Sequence, residues 1–224
     1  MIIRTLPIIT EIEPRVYHAE FKNQRDLAQS MMRLQEYYEG ISDEICGQYF
    51  TLEEFYHHFT NEDGEFEYTN IWTGFNVPGH IIMQWHNLFA SRDGLTNKEN
   101  QLFARLFQLI KDSDNIRWYL IATSKSDHEH KNAIKHEIAH ARYYLNDNYR
   151  NKCLELIKEI HDTDYVAIRD LLISMGYSDH VINDEIQAYM STGKKADIRR
   201  WFSNNRTDIN DLINRFRKNF KSKK

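Results

Sequence analysis

Between residues 24 and 39 the apolar positions Leu27, Met31, Met32, Leu34 and Tyr38 recur at helical spacing, and Gly40 supplies a stop. Thr51 followed by Glu54 forms a capping box that predicts a short helix over 52–59, and Thr96 with Glu99 repeats the device ahead of a helical run over 102–110. Between these two, Pro78 is placed to open a helix at its first position, with Ile81, Ile82, Trp85, Leu88 and Phe89 along one side. Residues 1–23 read as extended, interrupted by Pro7 and Pro14. A turn at 61–64 leads into an alternating strand at 65–68, and the β-branched and aromatic run 116–123 predicts a second strand. From Asp127, which is placed to cap a helix reaching about residue 145, the pattern stays helical. Helices are expected over 148–161, over 164–175 with Gly176 as the stop, and over 179–191 with Gly193 as the stop. A last amphipathic stretch over 207–219 carries Ile209, Leu212, Ile213 and Phe216. No internal repeat is visible.

These elements predict an α+β chain in three regions: a mixed α/β region over 1–112, a mostly helical core with a small sheet over 113–193, and a basic helix and tail over 194–224. The joint between the first two falls at 111–115. With 224 residues, 41% hydrophobic, and only 8 Gly and 3 Pro, the chain is long enough to bury a sizeable core, and collagen-like or low-complexity readings are excluded. No apolar run approaches the roughly 18 residues that a membrane-spanning helix needs, so no membrane partner is expected. Residues 1–14 hold Arg4, Glu11 and Glu13 and lack the build of a secretory signal. Together with only 2 Cys, this sets the expectation of a cytoplasmic protein with reduced thiols. The formal charge of −4 conceals a division: residues 194–224 hold 11 Lys and Arg against 3 Asp, and the remainder holds 18 against 30 acids.

The most informative segment is His136-Glu137-Ile138-Ala139-His140, an H-E-x-x-H sequence. Positions i and i+4 of a helix lie one turn apart on one face, so both imidazoles can reach one metal ion, while the adjacent Glu137 is placed to take a proton from water there. Zn²⁺ suits such a site because it accepts nitrogen ligands at about 2.0–2.1 Å and keeps a position open. With 11 His and 17 Glu in the chain, about 0.04 such motifs would arise by chance. The apolar or small residues Ile138, Ala139 and Ala141 around the histidines are unlike those of a solvated helix face.

Two histidines need a third ligand. The metzincin pattern fails, because Tyr143 and Asn146 stand where Gly and His are required. On a later predicted helix lies Asn183-Asp184-Glu185-Ile186-Gln187-Ala188-Tyr189, and here the chain resembles the zincin metallopeptidases, specifically the gluzincin branch, over roughly residues 113–193. The resemblance implies Glu185 as third ligand, with Asp184 as its nearest rival, and a small residue three positions on, matched by Ala188. It also implies a zincin-like core, one Zn²⁺, a peptide or protein substrate, Glu137 as catalytic base, and strand 116–123 as an edge that pairs with substrate. The chain departs from the pattern at Tyr189, where thermolysin-like sites carry an Asp, so Asp184 or another acid would have to orient a histidine. Tyr189 shares a helix face with Glu185 and is a candidate catalytic donor. Tyr143 and Tyr144 lie one turn beyond the histidine pair.

The other signals are weaker. Asp127-His128-Glu129-His130 reads as a helix cap with solvated neighbours, His57-His58 point to different faces, and Cys46 lacks a basic partner. The aromatic loop 72–80 reads as a packed turn. The basic C-terminal segment is a candidate surface for nucleic acid or an acidic partner, or a helix and tail that complement the acidic body. The expected function is thus a zinc-dependent hydrolase, which the resemblance places in the peptidase class. The alternative is a non-enzymatic interaction module with a structural or degenerate zincin-like core.

Overall fold

The computed structural model describes residues 6–40, 42–66, 68–70, 73–92, 94–110, 117–202 and 207–222. It is an α+β fold with one small mixed sheet of four strands. The chain divides into two compact units, Met1–Ile134 and Lys135–Lys224. The division falls inside a helix, at neither 112 nor 193. Strand 119–124 pairs with strands that precede it in the chain, and residues beyond 193 complete the second core, so neither expected boundary separates packed groups. The expected joint at 111–115 lies outside the described residues.

The first unit contains β1 (Ile8–Glu13), β2 (Val16–Phe21), α1 (Gln24–Glu39), α2 (Leu52–Phe59), β3 (Gly74–Pro78), α3 (Gly79–Ala90), α4 (Asn97–Leu109), β4 (Tyr119–Ser124) and the start of α5 (His130–Leu145). β1 and β2 form an antiparallel hairpin whose turn holds Arg15 at φ 67°. β2 runs parallel to β4, and β3 runs antiparallel to it, giving the order β1-β2-β4-β3. β4 is therefore interior and buried along its whole length, which overturns the expectation that it is a substrate-pairing edge. The alternation at 65–68 yields only a single bridge between Thr60 and Phe66, followed by a 3₁₀ turn at Tyr68–Asn70. Pro78 ends β3 and caps α3 from outside, one residue before the helix begins. Gly79 is required there: its N–H donates to the Trp118 carbonyl at 2.8 Å, and a Cβ would overlap the Trp118 indole. Leu27 and Met31 of α1, Trp85 and Phe89 of α3, and Phe103 of α4 pack with Phe21, Val77 and Leu120 of the sheet.

The second unit continues α5 and adds α6 (Asp147–Ile157), α7 (Asp162–Ser174), a 3₁₀ turn at Asp179–Val181, α8 (Ile182–Thr192), α9 (Lys195–Trp201) and α10 (Ile209–Lys221). α8 lies against α6, α7 and α10. Its Ile182, Ile186 and Met190 join Cys153, Ile168, Leu172, Ile198, Phe202, Leu212, Ile213 and Phe216 in one core. The helices of the C-terminal segment are thus a structural part of the unit. Among the described residues no helix is long and apolar enough to cross a membrane, and both cysteines are free thiols.

Candidate metal centre

α5 carries His136, Glu137 and His140, and α8 carries Asp184, Glu185, Ala188, Tyr189 and Thr192. One helical turn brings the two imidazoles together with ring centroids 4.9 Å apart. α8 presents Glu185, Tyr189 and Thr192 at i, i+4 and i+7, one stripe of that helix. His136 Nε2 lies 3.2 Å from His140 Nε2 and 3.7 Å from Glu185 Oε2, and His140 Nε2 lies 3.5 Å from Glu185 Oε1. Ligands about 2.05 Å from one tetrahedral ion stand about 3.3 Å apart, and these separations, which involve both oxygens of Glu185, are close to that. Among the described residues this is the one group of three or more such side chains able to hold a metal.

The hydrogen bonds behind the triangle fix which nitrogens face it. His140 Nδ1 lies 3.0 Å from Asp184 Oδ1. A carboxylate only accepts, so Nδ1 carries the proton, and in the neutral ring Nε2 presents a bare lone pair. Thr192 Oγ1 donates to the Ala188 carbonyl at 2.7 Å, and its oxygen faces His136 Nδ1 at 3.4 Å, which favours the same tautomer there. With both rings in that neutral form, two lone pairs and a carboxylate converge on one point. Glu185 Oε2 is moreover buried without a hydrogen-bond partner, although Glu185 is only 2% exposed. A buried anion in that condition is costly. A divalent cation satisfies all three groups, so the donor set fits Zn²⁺. Without a cation the compensation falls to His140. Burial works against its charge, yet Asp184, Glu185 and Glu137 hold its pKa well above the ordinary value. His140 is 2% exposed whereas the His136 side chain is 19% exposed, so the site is reached from the His136 side.

Asp184 is thus placed behind His140 on the ring edge remote from Glu185. It is held in turn by Gln187 Nε2 at 2.8 Å, and Gln187 Oε1 accepts from the Tyr149 hydroxyl at 2.8 Å. This supplies from position 184 the orienting carboxylate that Tyr189 displaces from position 189. Ala188 is fully buried.

Glu137 is buried, and its charge raises the pKa values of His140, Tyr177 and Tyr189, which puts it beside the same cluster. The Tyr189 ring packs on His136 at 4.7 Å and on Trp201 at 4.9 Å. Its hydroxyl meets that of Tyr177 at 3.0 Å. Burial, with Glu185 and Glu137, pushes Tyr189 up to about 12, and Tyr177 rises further. Tyr177 sits in the turn before α8, and no periodicity or motif marked it. Burial and Asp184 push the Tyr143 hydroxyl above the ordinary range.

The remaining candidates lie elsewhere. Asp127 Oδ1 accepts from the Glu129 N–H at 2.9 Å in a turn that precedes α5, which begins only at His130, so the expected cap falls outside the helix; the His128 side chain is exposed. His130 instead joins a network in the first unit: its Nε2 lies 3.2 Å from Glu20 Oε2, and its Nδ1 lies 3.3 Å from Thr123 Oγ1, which also meets His18 Nε2 at 2.8 Å. Burial lowers His18 to about 4, against the opposing charge of Glu20. Cys153 is fully buried, and burial pushes its thiol up to about 12. Trp72, in the aromatic loop 72–80, lies outside the described residues.

No family model, no curated protein and no solved structure matches this chain. The functional reading therefore stands on the residues and geometry above.

Proposed function

We propose that the Lys135–Lys224 unit is a zinc-dependent hydrolase of the gluzincin type acting on peptides, with His136, His140 and Glu185 as ligands. The observation that carries this reading is the convergence of two outward lone pairs and an unpartnered buried carboxylate oxygen at tetrahedral spacing. Bound zinc supplies Lewis acidity toward the scissile carbonyl and lowers the pKa of a water in the open position.

The chain's own residues do the rest. Glu137 follows His136 directly, so its carboxylate borders the ligand face and is the group within the cluster free of the ligand role. It accepts the proton of the attacking water and delivers it to the leaving amine. Asp184 keeps His140 in the tautomer that offers Nε2. Tyr189, oriented by Tyr177 and by the stack on His136, offers its hydroxyl proton to the oxygen on which charge develops. The interior position of β4 removes the strand expected to pair with substrate, so the peptide class rests on the resemblance of the motif.

Metal analysis with peptide-library hydrolysis tests the proposal. Purified protein is expected to hold about one zinc per chain and to cleave peptides. A His136→Ala, His140→Ala double variant is expected to lose the metal, and Glu137→Gln to keep it while losing at least a hundredfold in turnover. Full zinc retention in the double variant would sink the metal assignment. Stoichiometric zinc with no hydrolysis of any peptide or ester would leave a structural zinc module instead.

A further inference from the structure

α10 buries Leu212, Ile213 and Phe216 in the core of the second unit and turns its polar side outward. Where that side meets the start of α9, an open cavity of about 630 Å³ is lined by Lys195, Asn214, Arg217, Lys218, Lys221 and Ser222. Four of the six are cations. Lys195 Nζ donates to the Asn214 side chain at 2.8 Å, and Arg217 Nη2 donates to the Gly193 carbonyl at 2.6 Å. Among the described residues none of the four has a carboxylate within 4.0 Å. The acids of α10 are used elsewhere: Asp208 caps the helix, and Asp211 faces Arg215, which pairs with Glu159. Arg217 Nε is buried with no hydrogen-bond partner. Burial lowers the Arg217 pKa with no anion present to offset it.

Four like charges gathered around one concavity repel each other, and the arrangement is completed by a ligand that brings negative charge. We propose that this cavity binds a small soluble polyphosphate, an anion with two or more phosphate groups. The volume is that of a small-molecule site. Guanidinium, ammonium, amide and hydroxyl donors with no lining acid suit phosphate oxygens. The lining has no aromatic ring on which a base could stack, which disfavours single-stranded nucleic acid. A membrane surface is disfavoured because the apolar face of α10 is already buried. The neighbouring cavity on the Glu155 and Glu159 side of α10 shares Lys218 and Ser222 with it but sets two acids against three cations, and it serves as an internal contrast.

Titration calorimetry of the full-length protein with sodium tripolyphosphate tests this, independently of any hydrolase activity. The expected result is saturable one-to-one binding, weakened at least tenfold in a Lys218→Glu, Lys221→Glu double variant. Both positions are exposed, so the fold should tolerate the change. Arg215→Gln, on the side of Glu155 and Glu159, is expected to bind within about twofold of the unaltered chain. Absence of saturable binding, or equal binding by the double variant, as would occur if the titrant were captured at the metal centre, overturns the proposal. So does binding of a 20-nucleotide single-stranded RNA with none of tripolyphosphate, which would assign the face to nucleic acid.

Discussion

Asp184 and Glu185 are adjacent in sequence and serve His140 from opposite sides. Glu185 Oε1 faces Nε2 at 3.5 Å, and Asp184 Oδ1 faces Nδ1 at 3.0 Å. Because the imidazole has one nitrogen on each side, the two carboxylates cannot exchange roles without turning the ring, and Gln187 holds Asp184 where it is. An Asp184→Ala variant should therefore retain the metal but bind it about 10- to 100-fold more weakly. Asp184→Asn should fall at the milder end, since its amide oxygen can still accept from Nδ1. Competition against a chelator of known affinity measures both. If Asp184→Ala were as damaging as His140→Ala, Asp184 would be a ligand and the assignment of Glu185 would fail. The pairing of His136 with His140 was legible in sequence because one helix carries both. The direction of each ring was not, because it depends on Thr192 and Asp184 arriving from another helix.

At the scale of elements, Glu99 shows how one residue can serve both a local and a tertiary purpose. As third residue of α4 it accepts from the Thr96 N–H at 2.7 Å and completes the capping box that sequence predicted. The same carboxylate takes two bonds from Arg33 of α1, at 2.9 and 2.7 Å, with both side chains 1% exposed. Arg33 lies over the Phe89 ring at 5.1 Å. Thr96→Ala removes a cap and should destabilise by about 1 kcal/mol. Glu99→Gln removes the carboxylate charge from a buried pair that makes two bonds to the Arg33 guanidinium and should destabilise by about 3–5 kcal/mol. Urea unfolding separates the two, and equal losses would mean that the ion pair adds nothing to the cap. The cap was visible in advance because it is local, whereas the partner 66 residues away was not. The same distinction explains the elements that pattern missed. α9 is seven residues with one buried apolar side chain, Ile198, too few for a period. β3 is Gly-Phe-Asn-Val-Pro, whose ends read as turn residues. The composition of β4 records that it is buried, which an interior strand and a covered edge share.

At the scale of the whole chain, the helix that carries Glu185 is also the central helix of its unit. α8 turns Glu185, Tyr189 and Thr192 toward α5, and Ile182, Ile186 and Met190 into the core shared with α6, α7 and α10. The basic C-terminal residues, which charge alone marked as a separate segment, contribute Ile198, Phe202, Leu212, Ile213 and Phe216 to that same core. On the proposed ligand set, holding Glu185 against two histidines also ties α8 to α5, so metal binding and folding of Lys135–Lys224 are expected to be linked. For one site that binds only the folded form, free zinc at about 100 times its dissociation constant stabilises by about 2.7 kcal/mol. Amides of α6, α8 and α10 that exchange only when the unit opens should then exchange roughly a hundredfold more slowly with zinc than after chelation. Hydrogen-exchange mass spectrometry resolves these peptides directly. Stoichiometric zinc with unchanged exchange in all three helices would show that the ion is held without support from the core, and the proposed ligand set, with Glu185 on the central helix, would have to be abandoned.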